Sequence, residues 1–320
     1  MLRTFVEAGQ PRLDDRFPFS LDAPFTAQAA RREGLNSCDL TKLVNDGYLR
    51  RMVAGVYVAG QAADSIELRA EALRLVVPND SVIVDATAGW LLGAEMILAP
   101  GDHLAVPPVS VFVNRRGARL RNGLASSGQR FLARDHVMDL LGLKVTTPLR
   151  TACDLGRLLP RDRAFAALDT MLRLGAFDRE ELWAETARFR GMRGVRQLRA
   201  FAPLADPRAE SPGESVTRLR WLDMTSMPPP ELQIEVDRPH RPSYWLDLGV
   251  EELRFAVEYD GEEWHRRTAE QREHDHRRRT WLGEERGWIV EPVGKDNVFG
   301  QHQDIESILR SGHTRARRRA

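Results

Sequence analysis

The chain has 320 residues, 42% of them hydrophobic and 29% charged, with a formal net charge of +1 at pH 7. That apolar share is enough for more than one packed core, and so much charge excludes a membrane protein. The near-zero balance excludes a strongly basic global field, so any nucleic-acid contact has to be made by local arginine-rich surfaces; lysine occurs only at Lys42, Lys144 and Lys295.

The start, MLRTFVEAGQPRLDDRF, lacks the apolar core of a signal peptide, and the apolar stretch SVIVDATAGWLLGAEMILAP is interrupted by Asp85 and Glu95. A cytoplasmic location without membrane contact is expected. Cys38 and Cys153 stand in no disulfide, zinc or redox spacing and are expected to be core thiols. Residues 1–24 carry little periodicity and read as a loose leader.

From Phe25 the pattern sharpens. TAQAARREG and CDLTKLVNDG predict two short helices that stop at Gly34 and Gly47, and YLRRMVAGVYVAG predicts a β-hairpin. Helix, turn, helix and hairpin over residues 25–62 make a winged helix-turn-helix. In that arrangement Thr41, Lys42 and Asn45 face a DNA groove and Arg50 and Arg51 reach phosphates, whereas Asp39 and Asp46 would repel them.

Residues 63–205 predict a mixed α/β region: a helix at IELRAEALRLV, strands near HLAVPP and SVFVNRR, and then mostly helix. Thr147 and Pro148 fit a helix cap and first turn, Gly175 a helix stop, and Asp178 with Glu181 a capping box. Asp154 and Asp169 fall on amphipathic helices, where surface or capping roles are the default. PLADPRAESPGES marks a boundary near residue 206.

The last third, residues 206–310, predicts helix, three strands, a long polar helix and a fourth strand, before a basic tail at 311–320. In RFAVEYDG alternate residues share a face, so Ala256, Glu258 and Asp260 project one way and Phe255, Val257 and Tyr259 the other. Asp247, on the preceding strand with Leu246, Leu248 and Val250 on its opposite face, would approach Glu258 if the two strands pair. Carboxylates on central strands are costly unless compensated, and a hard divalent cation held by oxygen compensates them and suits phosphodiester hydrolysis. Ser211, Pro212 and Glu214 fit N-cap, N1 and N3, which predicts that glutamate for structural reasons alone. Arg272, Asp275, His276 and Arg279 form one charged face of the long helix, which is either an intrahelical ion-pair network or a DNA-facing surface with Arg278 and Arg279 as DNA contacts.

WLDLGV…FAVEYDGEEWHRRTAEQREHDHRRRTWLGEERGWIVEPV resembles the uncharacterised family related to very-short-patch-repair endonucleases, of the PD-(D/E)XK fold. The resemblance implies Asp247 and Glu258 as ligands of Mg²⁺ or Mn²⁺, Asp260 as a ligand or water partner, and His265, after Gly261 and Trp264, as a proton-transfer or phosphate group. Asp275 and Arg278 match the D-x-x-R of the family's next helix, and Glu214 falls where the resemblance implies a first-helix acid, although the cap is the favoured reading for it. The sequence departs from the signature at Asp260, where a lysine is expected; the missing positive charge would come from His265, Arg278 or Arg279. Phe25 to about Ala59 resembles the winged-helix domain of AbiEi-type antitoxins, and VTTPLRTACDL is similar to the segment that follows it there, which implies DNA as partner, through the chain's own operator, and a toxin. Two functions follow: a Mg²⁺-dependent DNA endonuclease, or an antitoxin-like repressor whose nuclease fold is catalytically degenerate.

Overall fold

The computed structural model describes residues 12–94, 109–113, 125–128, 132–261, 269–300 and 303–319. The chain is a multidomain α/β protein that divides into two units, Met1–Asp154 and Leu155–Ala320. None of the helices among the described residues is long and apolar enough to cross a membrane.

The first unit opens with β1 (Phe25–Thr26), α1 (Ala27–Arg32), α2 (Ser37–Asn45), β2 (Leu49–Val53) and β3 (Val56–Ala59). The expected hairpin forms, and β1 adds to its far side to give the order β1-β3-β2. Thr26 caps α1, and Asn36 with Asp39 makes a reciprocal capping box at α2. Leu40 and Leu43 turn inward with Ala30, Leu35 and Leu49. The segment before β1 is not loose from Leu13 onward. Leu13 and Phe17 are buried in that same core, Phe19 stacks on Phe25 at 4.1 Å, and the Gln61 side chain bonds the Leu13 backbone in both directions. Three apolar side chains in seven residues found a surface to cover that no periodicity announced.

α3 (Ile66–Arg74) and α4 (Asp85–Leu91) accompany a five-stranded sheet ordered β6-β5-β4-β8-β7, from β4 (Ser81–Ile83), β5 (Val109–Val113), β6 (Ala125–Gly128), β7 (Val137–Leu140) and β8 (Leu143–Thr146). SVFVNRR supplies β5, while the strand expected at HLAVPP lies outside the described residues. The β7–β8 hairpin turns through Leu141 and Gly142 with φ of 52° and 77°. A leucine in the left-handed region gives no turn signal in sequence, so this hairpin was illegible there. Asp154 is fully buried, not at the surface: Arg150 donates to it at 2.8 Å through Nε and lies 2.7 Å from His136 Nδ1.

The division falls inside α5 (Pro148–Leu158). The second unit continues with α6 (Arg161–Arg173), α7 (Arg179–Glu185), α8 (Val195–Phe201), α9 (Pro212–Asp223), β9 (Glu231–Arg238), β10 (Arg241–Val250), β11 (Phe255–Asp260), α10 (Ala269–Arg286), β12 (Ile289–Gly294), α11 (Lys295–Val298) and α12 (Ile305–Arg317). This two-unit division falls before the boundary expected near residue 206. Asp169 on α6, expected at the surface, is fully buried and takes two 2.8 Å bonds from Arg218 of α9. The basic C-terminal sequence belongs to this unit as well, because α12 runs to Arg317 and its Gly312 lies against the Phe255 ring, where a Cβ would stand 2.3 Å away.

The sheet order is β12-β11-β10-β9: β9, β10 and β11 are antiparallel, and β12 joins β11 in parallel after the α10 crossover. Val257, Leu248, Val250 and Phe255 pack with Val216 and Trp221 of α9 and Leu309 of α12. Ala256, Leu246, Ile234 and Val236 pack with Leu282 of α10 and with Trp288.

Candidate functional site

Two places carry the residues singled out by sequence, one in each unit. In the first unit the apolar positions of α2 bury Leu40 and Leu43 and leave Ser37, Cys38, Thr41, Lys42 and Asn45 exposed on the other side. Cys38 is therefore a surface thiol, and only Cys153 is in the core. Asp39 is not directed at a partner: its carboxylate accepts the Asn36 N–H at 3.0 Å in the capping box. Arg51 is exposed, but Arg50 is engaged within the fold, with 3.2 Å to the Ala62 carbonyl and 3.4 Å to Asp64. Burial pushes the Asp64 carboxyl up, yet Arg69 and Arg50 outweigh it and hold it below the ordinary carboxylate range.

In the second unit the acids gather where β10 and β11 part. Their pairing runs Leu248 with Val257, Gly249 with Ala256 and Val250 with Phe255, so the next step would set Asp247 across from Glu258. There the ladder stops, and the Tyr259 N–H donates instead to Asp247 Oδ2 at 2.8 Å. The carboxylate thus satisfies a backbone donor left over by the splay. Leu246 and Leu248 do not share a face as expected, since Leu246 packs toward α10 and Leu248 toward α9. The reversal coincides with Gln233 on β9, held at φ 51° between Leu232 and Ile234, which part in the same way.

Glu258 is 7% exposed, and Arg278 of α10 reaches it at 2.6 Å. Asp260 lies beyond, with Arg279 at 3.8 Å. Adjacent arginines of one helix therefore each face one carboxylate of the E-x-D pair. Glu214 is the acid that sequence reasoning set aside. Ser211 does cap α9, but the Glu214 carboxylate reaches past the cap to the Glu210 N–H at 2.8 Å, takes the Gln233 amide at 3.3 Å, and is 7% exposed. Gly213 lets the helix start close to the strand, because a Cβ there would stand 1.9 Å from the Tyr259 ring. The place of Glu214 in the first helix was a signal, and the capping box was preferred to it; Gln233 gave none.

Charge accumulates accordingly. Asp247 is pushed up to about 8, first by burial and then by Glu214 and Glu258, against the Tyr259 N–H and Arg278. Burial also raises Glu258, countered by Arg278, and raises Glu214, countered by the bonds from Glu210 and Ser211. Asp247, Glu258 and Glu214 thus share one field. Yet among the described residues no three Asp, Glu, His or Cys side chains converge as metal ligands. Trp264 and His265 lie outside the described residues.

Residues 81–204 match the family model described as the AbiEi antitoxin C-terminal domain. That span contains all of VTTPLRTACDL, ends before α9 and does not include α1 and α2. Two proteins of Mycobacterium tuberculosis are similar over most of the chain: the uncharacterized protein MT2308 of strain CDC 1551 / Oshkosh and the uncharacterized protein Rv2248 of strain ATCC 25618 / H37Rv. Each is 34% identical over 265 residues, covering 80% of this chain and 89% of the relative. The chain belongs to the family of these mycobacterial proteins. The central third, between α2 and the acid pocket, is thus the part tied by similarity to antitoxins.

Proposed function

We propose that this protein is a DNA-binding, AbiEi-antitoxin-like repressor, with its operator and a toxin as partners, whose α1-α2-β2-β3 module is a winged helix. The observation that carries this is the exposed face of α2, with Thr41, Lys42 and Asn45 outward and Asp39 occupied by its own cap. The antitoxin-type domain match next to it supports the same reading. A helix of this kind in the major groove reads base edges through its polar side chains, while Arg51 on the hairpin contacts phosphate. Arg50 serves the fold through Asp64 and is not counted among the contacts.

The test is fluorescence anisotropy with a duplex from the protein's own promoter. The Lys42→Ala/Asn45→Ala variant should bind about tenfold or more weakly, and Arg51→Ala should lower the salt slope by about 1. Equal affinity of all three proteins would remove the reading.

A second reading, DNA hydrolysis by the second unit on a PD-(D/E)XK-like core, is favoured by the buried Glu214 and Glu258 and the partly buried Asp247, which interact on neighbouring elements. An acid cluster of that strength suits Mg²⁺ or Mn²⁺. The arrangement at hand does not fit a resident cation, however, because Arg278 holds Glu258 and Arg279 faces Asp260, so no hydrolytic step is derived through one. Nicking of supercoiled plasmid with Mn²⁺ that Glu258→Gln abolishes would establish this activity. Its absence over single-stranded, duplex and mismatched substrates would leave the fold as a scaffold.

A further inference from the structure

Two faces of the second unit carry unpaired charge of opposite sign. The first is basic. Residues 186–205, TARFRGMRGVRQLRAFAPLA, hold five arginines and no acid. Arg188, Arg190, Arg193 and Arg196 are exposed, and among the described residues only Arg188 of these has an acid partner, Glu185 at 3.5 Å. The turn that carries them is fixed from inside. Arg157 of α5 donates to the Arg193 carbonyl at 3.1 Å, and Gly194, at φ 75°, comes so close that a Cβ there would stand 1.7 Å from the Arg157 carbonyl oxygen. Phe189 and Leu198 are buried, and Gln197 ties α8 to the Gly156 and Leu159 carbonyls at 2.8 and 3.0 Å. Arg190, Arg193 and Arg196 thus stand unpaired on one preset turn.

The second face is acidic and aromatic. β10 pairs with β9 from Arg241 to Gly249 but with β11 only from Leu248 to Val250, so from Asp247 outward β9 and β10 form a two-stranded ribbon. One face of the ribbon is covered, with Tyr244, Leu246, Ile234 and Val236 packed against Trp281, Leu282 and Trp288. Trp245 and its cross-strand neighbour Glu235 lie on the other face, with Asp237 two residues along the strand. The indole is 51% exposed, and both carboxylates are exposed without a partner among the described residues. Such a face repels phosphate and suits arginine, whose guanidinium stacks on an indole while its N–H groups reach the flanking carboxylates.

We infer that these two faces are the halves of one interface, in which a second copy of this chain sets its Arg190–Arg196 turn on the face of Trp245, Glu235 and Asp237. Each copy carries both halves, so a two-fold axis forms both contacts at once and closes the pair as a dimer. Arginine and tryptophan are also residue types that protein interfaces favour. The dimer would bring two α2 helices to one duplex, as half-site recognition by helix-turn-helix proteins requires; it extends the repressor reading and uses none of the α2 residues.

The test is sedimentation velocity of the full chain over a wide concentration range. The parent should pass from monomer to dimer as concentration rises and return toward monomer with added salt, because the paired charges lie at the surface. Arg190→Glu/Arg193→Glu and Glu235→Arg/Asp237→Arg should each abolish the dimer, since like charges then meet. Mixed in equal amounts, the two variants should form a heterodimer, because each reversed face meets its reversed complement and the other contact is that of the parent. Trp245→Ala should weaken the dimer about tenfold and Trp245→Phe less, the dimer holding two such contacts. All five side chains are exposed, so the thermal melts of the monomers should match. A parent that stays monomeric at every concentration overturns the inference. So does a dimer that survives both reversals, or reversed variants that fail to pair on mixing. A monomeric parent that still binds its promoter leaves the repressor reading standing, and a dimer that pairs as described without binding the promoter sinks that reading and not this one.

Discussion

In EDTA, the protein is expected to lose stability as pH rises from about 4 to about 8, and Asp247→Asn to remove much of that loss. Asp247 keeps its proton in the folded state up to about 8, whereas the unfolded chain releases it near 3.8. Between those values the folded state binds the extra proton, so raising pH favours unfolding, with a slope of about 1.4 kcal/mol per pH unit for one group. The full penalty is present above pH 8, absent below about 4, and on the order of 5 kcal/mol at its limit. Burial raises Glu214 and Glu258 too, so they add to the same slope. An asparagine can still accept the Tyr259 N–H with its side-chain oxygen, so the substitution removes the charge and spares the hydrogen bond. Urea unfolding from pH 4.5 to 9 should show the variant several kcal/mol more stable than the parent at the alkaline end and nearly equal at the acid end. Parallel curves would show that Asp247 ionises in the fold at no cost.

Arg218→Met is the second large effect, a loss of about 3–5 kcal/mol. Arg218 is almost fully buried: its Nη2 donates to both oxygens of Asp169 at 2.8 Å and its Nη1 to the Leu204 carbonyl at 2.7 Å, and Asp169, fully buried, also accepts the Asp206 N–H at 2.8 Å. Taking away the guanidinium leaves a carboxyl that burial already pushes upward, with nothing cationic beside it. Because Arg218 stands one helical turn beyond Glu214, the same pair anchors the helix that presents Glu214 to Asp247. The double variant Arg218→Met/Asp169→Leu should regain most of the loss, since matched apolar groups avoid the desolvation that a lone charge suffers. Urea midpoints of parent, single and double variants decide it; a double variant no better than the single would mean that the pair itself, and not the stranded charge, holds α6 to α9.

Local signals carried most of the elements. The capping box of α2, the boxed Asp178 and Glu181 of α7, the glycine stops and the period of two in FAVEYD act within a few residues, so Leu40 and Leu43 inward, Lys42 and Asn45 outward, and Glu258 on the Ala256 side were readable before any fold was known. Wherever the outcome depended on a partner far along the chain, the sequence was silent. Asp169 looks like a surface acid on an amphipathic helix until Arg218 of α9 pairs with it in the core. Glu214 looks like a cap until Gln233, nineteen residues on, turns its strand over and meets it. Arg50 looks like a phosphate contact until Asp64 takes it. Hydrophobic period and capping are properties of one segment, and the chain states them directly; the charge state of a buried acid is set by everything that surrounds it, and only the packed sheet and helices bring those neighbours together.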